Sequence, residues 1–230
     1  MNLRFRFNLS NLIILITIAV FILQILSEFI FGYDLVAAWG AKINALILQG
    51  QIWRFLTPVL LHGSLLHIGF NMYALFSIGP QVEARYGKWP FIALYILSGL
   101  WGNTISFLLS PNASLGASTA IFGLIASQAV YIYQNRHLLG SAARPMLTNI
   151  TIVIAVNLVL GLSPGIDNWG HLGGLIGGFL FSWFAGPSYG VETGLFGGKV
   201  LIRQEKKTAL VTAAVTAVAV LFISIKFLLA

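Results

Sequence analysis

The chain has 230 residues, 58% of them hydrophobic and only 8% charged, with a mean hydropathy of +0.89. A soluble domain carries about 25% charged residues, so this chain cannot cover a water-facing surface and reads as an integral membrane protein. The net charge of +7 comes from basic residues in connecting segments that form no basic face, which argues against a nucleic-acid binder, and the lack of cysteine excludes disulfides and thiolate chemistry.

Seven apolar segments follow in order, at about 10–31, 59–82, 89–109, 115–134, 146–163, 169–186 and 208–229. Each is near the roughly 17–25 residues that cross a bilayer as a helix. The first follows Arg4 and Arg6 but is longer than a signal-peptide core and has no small-residue cleavage pattern, so it reads as an uncleaved anchor. The connection at about 32–58 mixes Trp39, Trp53 and Phe55 with Lys42 and Arg54, a composition suited to the membrane interface. The connection at 187–207 is Gly-rich and then basic. The expected fold is all-α, a polytopic membrane helix bundle of six core spans plus a C-terminal seventh. Its core is 1–187, and 188–230 supplies a basic loop and the last span.

Basic residues orient the bundle. With the N-terminus inside, Arg4, Arg6, Arg85, Lys88, Arg136, Arg144, Lys199, Arg203, Lys206 and Lys207 are cytoplasmic. The outer connections then hold only Lys42 and Arg54, Lys226 lies within the last span, and the C-terminus ends outside.

In that topology spans two, four and six all begin in the outer leaflet, and their first turns carry the polar residues. Span two opens with His62 and His67, followed by Asn71; span four opens with Ser118; span six opens with His171. Ser118 is expected three or four residues inside its span, roughly 5 Å below the helix start. A serine hydroxyl becomes a nucleophile when a neighbouring base takes its proton, and imidazole is the usual partner. Gly174 and Gly178 share a helical face with His171, and Gly116, Ala120 and Gly123 thin the surface around Ser118, so the two helices can approach closely. His67 and Asn71, spaced i, i+4, could both donate to an oxyanion, with the Ser118 amide as a third donor. The plainer reading of His67 and Asn71 is interhelical hydrogen bonding, and that of His62 is an interfacial hydrogen bonder.

Rival chemistries have weaker support. There is no His-Glu-x-x-His. His62, His67 and His171 could form a three-histidine metal site, which would make the chain a metalloenzyme or transporter, but no carboxylate base lies near them in a span. Asp34 and Asp167 both fall in outer connections, and Asp167 reads as a solvated loop residue rather than a third catalytic group. The chemistry expected is a Ser118–His171 dyad with no metal and no cofactor.

These residues resemble the rhomboid family of intramembrane serine proteases over about 10–186. The matching stretches are Trp53-Arg54, His62-x₄-His67-x₃-Asn71, Gly79-x₃-Glu83-x₃-Gly87, Gly116-x-Ser118 and His171-x₂-Gly174-x₃-Gly178. The resemblance implies that Ser118 is the nucleophile, His171 the general base, and His67, Asn71 and the Ser118 amide the oxyanion site. It implies that Trp53 and Arg54 support the first loop and that Glu83 braces the inner end of span two. Substrates would be membrane proteins with an unstable helix and a small residue before the cut, entering near spans two and five under a cap at about 163–168. The setting would be the plasma membrane of a bacterium, with membrane lipid as the other partner. Thr119 and Gly170 depart from the glycine and alanine common in the family, and Phe122 stands where some members carry a tyrosine against the histidine. The alternative is a rhomboid-like protein that binds membrane clients without cutting them.

Overall fold

A computed structural model describes residues 8–193, 199–204 and 206–229; Arg4 and Arg6, counted above for orientation, lie outside the described residues. Each apolar segment folds as a helix. The long ones are α1 (Leu9–Phe31), α4 (Leu65–Tyr86), α5 (Lys88–Leu109), α6 (Ser118–Gln134), α8 (Ala143–Leu160), α9 (Asn168–Ala185) and α10 (Thr208–Leu228). The first connection adds two short helices, α2 (Leu35–Gly40) and α3 (Asn44–Leu48), and two 3₁₀ turns; α7 (Arg136–Leu139) follows α6. The fold is an all-α membrane bundle. One departure lies after α9, where β1 (Tyr189–Thr193) and β2 (Lys199–Arg203) pair antiparallel with Val191 opposite Leu201.

Helices α1, α5, α7 with α8 (Arg136–Leu160), and α10 are long and apolar enough to cross a membrane by length and composition. The three long helices left over, α4, α6 and α9, are the ones that carry His67 and Asn71, Ser118, and His171. At 17 residues α6 is about 26 Å long. It is buried without interruption from Thr119 to Ser127, as expected of a helix that is apolar all round and sits at the centre of a bundle.

Glycine decides how α9 enters that centre. A Cβ at Gly174 would fall on the Thr119 backbone and one at Gly178 on the Gly123 backbone, so α9 meets α6 main chain to main chain. Against α5, a Cβ at Gly173 would fall on the Trp101 carbonyl and one at Gly177 on the Trp101 side chain. Lipid supplies no hydrophobic force between helices, so close van der Waals approach carries the association.

At the end of the bundle away from Ser118, the Glu83 carboxylate accepts from the Leu9 and Ser10 amides at 2.9 and 3.0 Å and from the Ser10 hydroxyl at 3.2 Å. An acid from the last turns of α4 therefore caps the N-terminus of α1, where free amides and the helix dipole both favour an anion. Glu83 braces α1 as much as α4. On the other flank α10 packs against α5, with the Trp101 indole donating to the Val215 carbonyl at 3.1 Å.

The first connection is ordered by its own polar residues. Trp53 stacks on Trp39 at 5.5 Å and donates to its carbonyl, and the Arg54 guanidinium donates to the Ala38 and Ala41 carbonyls at 2.8 and 2.6 Å. Lys42 pairs its backbone with Ser114 in both directions, tying this loop to the segment between α5 and α6.

Two expected boundaries move. The second apolar segment does not start as a helix at 59; residues Thr57–Leu60 form a 3₁₀ turn, and α4 begins only where the Ser64 hydroxyl caps the His67 amide. Likewise Ser118 is the first residue of α6 rather than three or four residues inside it. In both places apolar loop residues extend the hydrophobic run past the helix.

Candidate active site

Helices α4, α6 and α9 start at the same end of the bundle, and their first turns meet. The Ser118 hydroxyl and His171 Nε2 are 2.9 Å apart. His171 is 8% exposed, and its ring lies flat on Phe122 at 4.3 Å with an interplanar angle of 12°. Nδ1 of the ring is buried with no hydrogen-bond partner among the described residues. With the proton on Nδ1, Nε2 has its lone pair free for the serine proton.

Gly116 makes room for the second histidine. It has φ +133°, a left-handed conformation that favours glycine, and a Cβ there would stand 2.7 Å from His67 Nε2. The Gly63 amide donates to His67 Nδ1 at 3.5 Å, which assigns the ring proton to Nε2, on the side of Gly116. The Ser118 amide, first in its helix, has no partner among the described residues. His67, Gly116, Ser118, Thr119 and His171 line one open cleft of about 540 Å³, walled on the far side by Pro164 to Asp167.

Other expected site residues lie elsewhere. Asn71 is buried one turn below His67, donates to the His67 carbonyl at 3.1 Å, and does not line the cleft. His62 is packed inside the protein rather than facing its surroundings. It is 1% exposed, lies before α4, and accepts the Ala117 amide on Nε2 at 3.4 Å. Gln24 of α1 clamps its backbone, accepting from the His62 amide and donating to its carbonyl. Burial first, and then the neighbouring His67, pushes its pKa down to about 3, so it is a neutral acceptor holding the residue before Ser118. Trp53, Arg54, Glu83, Phe122, Gly174 and Gly178 are outside the cleft lining; of these Phe122 touches it through the His171 ring, and Gly174 and Gly178 through the approach of α9 to α6. Among the described residues no three histidine or carboxylate side chains converge on one point.

Asp167 is a helix cap rather than a solvated loop residue. Its carboxylate accepts the Gly170 amide at 2.9 Å and the Ser106 hydroxyl, which fixes the first turn of α9 below His171. It does not bond the imidazole; the two residues share only a helical backbone bond.

Lys42 carries no catalytic pattern in the sequence, yet it holds one wall of the cleft. It is wholly buried, and its ammonium donates to the Ser110 and Asn112 carbonyls at 3.1 and 2.8 Å, just before the Ser114–Gly116 wall. Burial pushes its pKa down to about 8, opposed by the charge of Asp167.

The departures at Thr119 and Gly170 meet in space. A Cβ at Gly170 would be 3.1 Å from the Thr119 methyl, and a Cβ at Gly102 of α5 would fall on the Thr119 side chain. Two glycines therefore form the slot for the β-branched residue beside Ser118.

A family model described as a Rhomboid domain matches residues 49–188. The chain is 42% identical over 170 residues to the rhomboid protease GluP of Bacillus subtilis (strain 168), covering 73% of this chain and 32% of that protein. It is 36% identical over 186 residues to Rhomboid-like protease 1 of Toxoplasma gondii, covering 76% and 63%, and 32% identical over 206 residues to the rhomboid protease AarA of Providencia stuartii, covering 76% and 71%. The matched part thus spans about a third of GluP and about seven-tenths of AarA.

Proposed function

The chain belongs to the rhomboid family, and from that membership we propose that it is an intramembrane serine endopeptidase working through Ser118 and His171. The 2.9 Å contact between Ser118 Oγ and His171 Nε2 at an open cleft is the observation that carries the reading. A serine and an imidazole in hydrogen-bond reach are what covalent acyl transfer needs.

In the proposed reaction Ser118 Oγ attacks the scissile carbonyl while His171 Nε2 takes the hydroxyl proton. The tetrahedral oxyanion accepts from the Ser118 amide and His67 Nε2–H, while Asn71, bonded to the His67 carbonyl from one turn below, positions that donor. His171 then passes its proton to the leaving amine as the C–N bond breaks, leaving an acyl-serine. Water, deprotonated by His171, cleaves that ester and restores Ser118. No cofactor is required. A protein that only held its clients would have no use for this serine–imidazole bond, so the proteolytic reading is preferred.

Substrates are membrane proteins, cut towards the outer leaflet. The N-terminus is cytoplasmic and the C-terminus outside, in the plasma membrane of a bacterium. Residues 1–187 form the catalytic unit, with the hairpin and α10 appended. The test is cleavage of a model single-pass substrate by the purified chain in liposomes. Ser118→Ala should lower the rate at least 10³-fold, and undiminished cleavage overturns the proposal.

A further inference from the structure

At the end of the bundle opposite Ser118, helices α6, α7 and α8 leave a cleft of about 580 Å³. Arg136, first in α7, and Arg144, second in α8, stand at its mouth, and Leu147 and Ile152 continue it along α8 towards the bilayer. Thr148 and Thr151 face it too, but both hydroxyls donate to backbone carbonyls of their own helix. The wall is thus effectively apolar below a cationic rim. Ile152 is 54% exposed, so the cleft opens sideways to lipid rather than into the protein.

The two arginines are available to a ligand. Arg136 lies over the Tyr133 ring at 4.3 Å and spends one N–H on the Tyr133 carbonyl, leaving the rest of its fork unspent. Arg144 has no side-chain hydrogen bond among the described residues, and no described carboxylate lines the cleft. Two guanidiniums over an apolar slot match a phosphate diester on an acyl chain. Basic pockets between membrane helices at the cytoplasmic level bind anionic headgroups in this way, and arginine suits them because its planar fork meets phosphate oxygens in pairs.

We propose that this cleft is a binding site for one phospholipid with an anionic headgroup. The phosphate sits between Arg136 and Arg144, and an acyl chain lies against Leu147 and Ile152. The lipid is drawn from the leaflet opposite Ser118, the cytoplasmic one in the orientation proposed above. Bound there, it fills the gap between α8 and the core, from which α8 is otherwise largely unburied. The proposal rests on the chain's place in a membrane and is independent of the catalytic reading.

The experiment uses the full chain, delipidated in a neutral detergent and titrated with dioleoyl-phosphatidylglycerol while thermal unfolding is followed. Dioleoyl-phosphatidylcholine and inorganic phosphate form parallel arms. Phosphatidylglycerol should raise the unfolding temperature saturably, phosphatidylcholine and phosphate should not, and R136Q/R144Q should need ~30-fold more lipid for half the shift. R203Q/K206Q, which removes two cations from another cleft at the same end of the bundle, should respond like the parent. If R136Q/R144Q does not fold, hydrogen exchange of the parent decides: phosphatidylglycerol should protect residues 136–152 selectively. Equal shifts from phosphatidylcholine, an equal effect of inorganic phosphate, an unchanged response in R136Q/R144Q, or protection elsewhere would each overturn the proposal.

Discussion

The rings of Phe122 and His171 are stacked 4.3 Å apart and nearly parallel, one turn of α6 below Ser118. In the proposed dyad this stack takes the place of the carboxylate that orients the base in a serine triad. It fixes the plane of the imidazole without bonding Nδ1, so Nε2 stays directed at Ser118.

Loss of the ring should therefore act on rate. An aromatic pair contributes about 0.5–1.5 kcal/mol beyond its burial. Phe122→Leu keeps an apolar side chain of similar size but lets the imidazole tilt. Expected is a fall in kcat of roughly tenfold with KM nearly unchanged, while Phe122→Tyr, which keeps the ring, retains most activity. Steady-state cleavage in liposomes reads the split. A change confined to KM would mean that Phe122 contacts substrate instead.

His67 and Asn71 looked equivalent in the sequence, on one face of span two, and the structure separates them. His67 Nε2 lies beside Gly116 in the cleft, whereas Asn71 already bonds the His67 carbonyl. His67→Ala should lower kcat by about 10²–10³, the usual cost of one oxyanion donor. Asn71→Ala should cost about tenfold less. Equal losses would mean that Asn71 turns into the cleft during the reaction.

How much the sequence disclosed follows from these contrasts. The parity of the spans placed Ser118, His171 and His67 at one end, because a helix bundle leaves few ways to arrange apolar runs of membrane length. The glycine spacing that lets α9 meet α6 was legible for the same reason, since it repeats on one helical face. Helix starts were not, because apolar loop residues before Leu65 and Ser118 look like helix in a hydrophobic run. In the sequence Asp167 reads as a solvated loop residue and Lys42 only as one cation of an interfacial connection. Their partners, the Ser110 and Asn112 carbonyls and the Ser106 hydroxyl, lie more than 60 positions away, and no local pattern announces them.

Lys42 predicts a pH dependence. Its amine falls from the usual 10.5 to about 8 on folding, chiefly through burial. Between those values the unfolded chain binds more protons than the folded one, so stability rises as pH rises from 8 to 10.5. Below about 8 the buried charge exerts its full cost. Thermal unfolding in detergent should show this rise in the parent, and Lys42→Met should remove that part of the slope. An unchanged slope in Lys42→Met would assign it to another group.

Thr119 and Gly170 should behave as one unit. The Cβ of Gly170→Ala would lie 3.1 Å from the Thr119 methyl and 2.8 Å from Asp167 Oδ2, close enough to push on the cap of α9 and on the turn that carries His171. The single change should lower stability by about 1–3 kcal/mol, as overpacking does, and should reduce kcat through displacement of the imidazole. Thr119→Ser deletes only the methyl and should be mild alone. Combined with Gly170→Ala it should recover part of the loss, because residues in contact couple by about 0.5–3 kcal/mol. The four proteins of that cycle, compared by unfolding temperature and kcat, give the coupling directly. Strict additivity would show that the alanine strains Asp167 alone and that the slot for Thr119 is formed by Gly102.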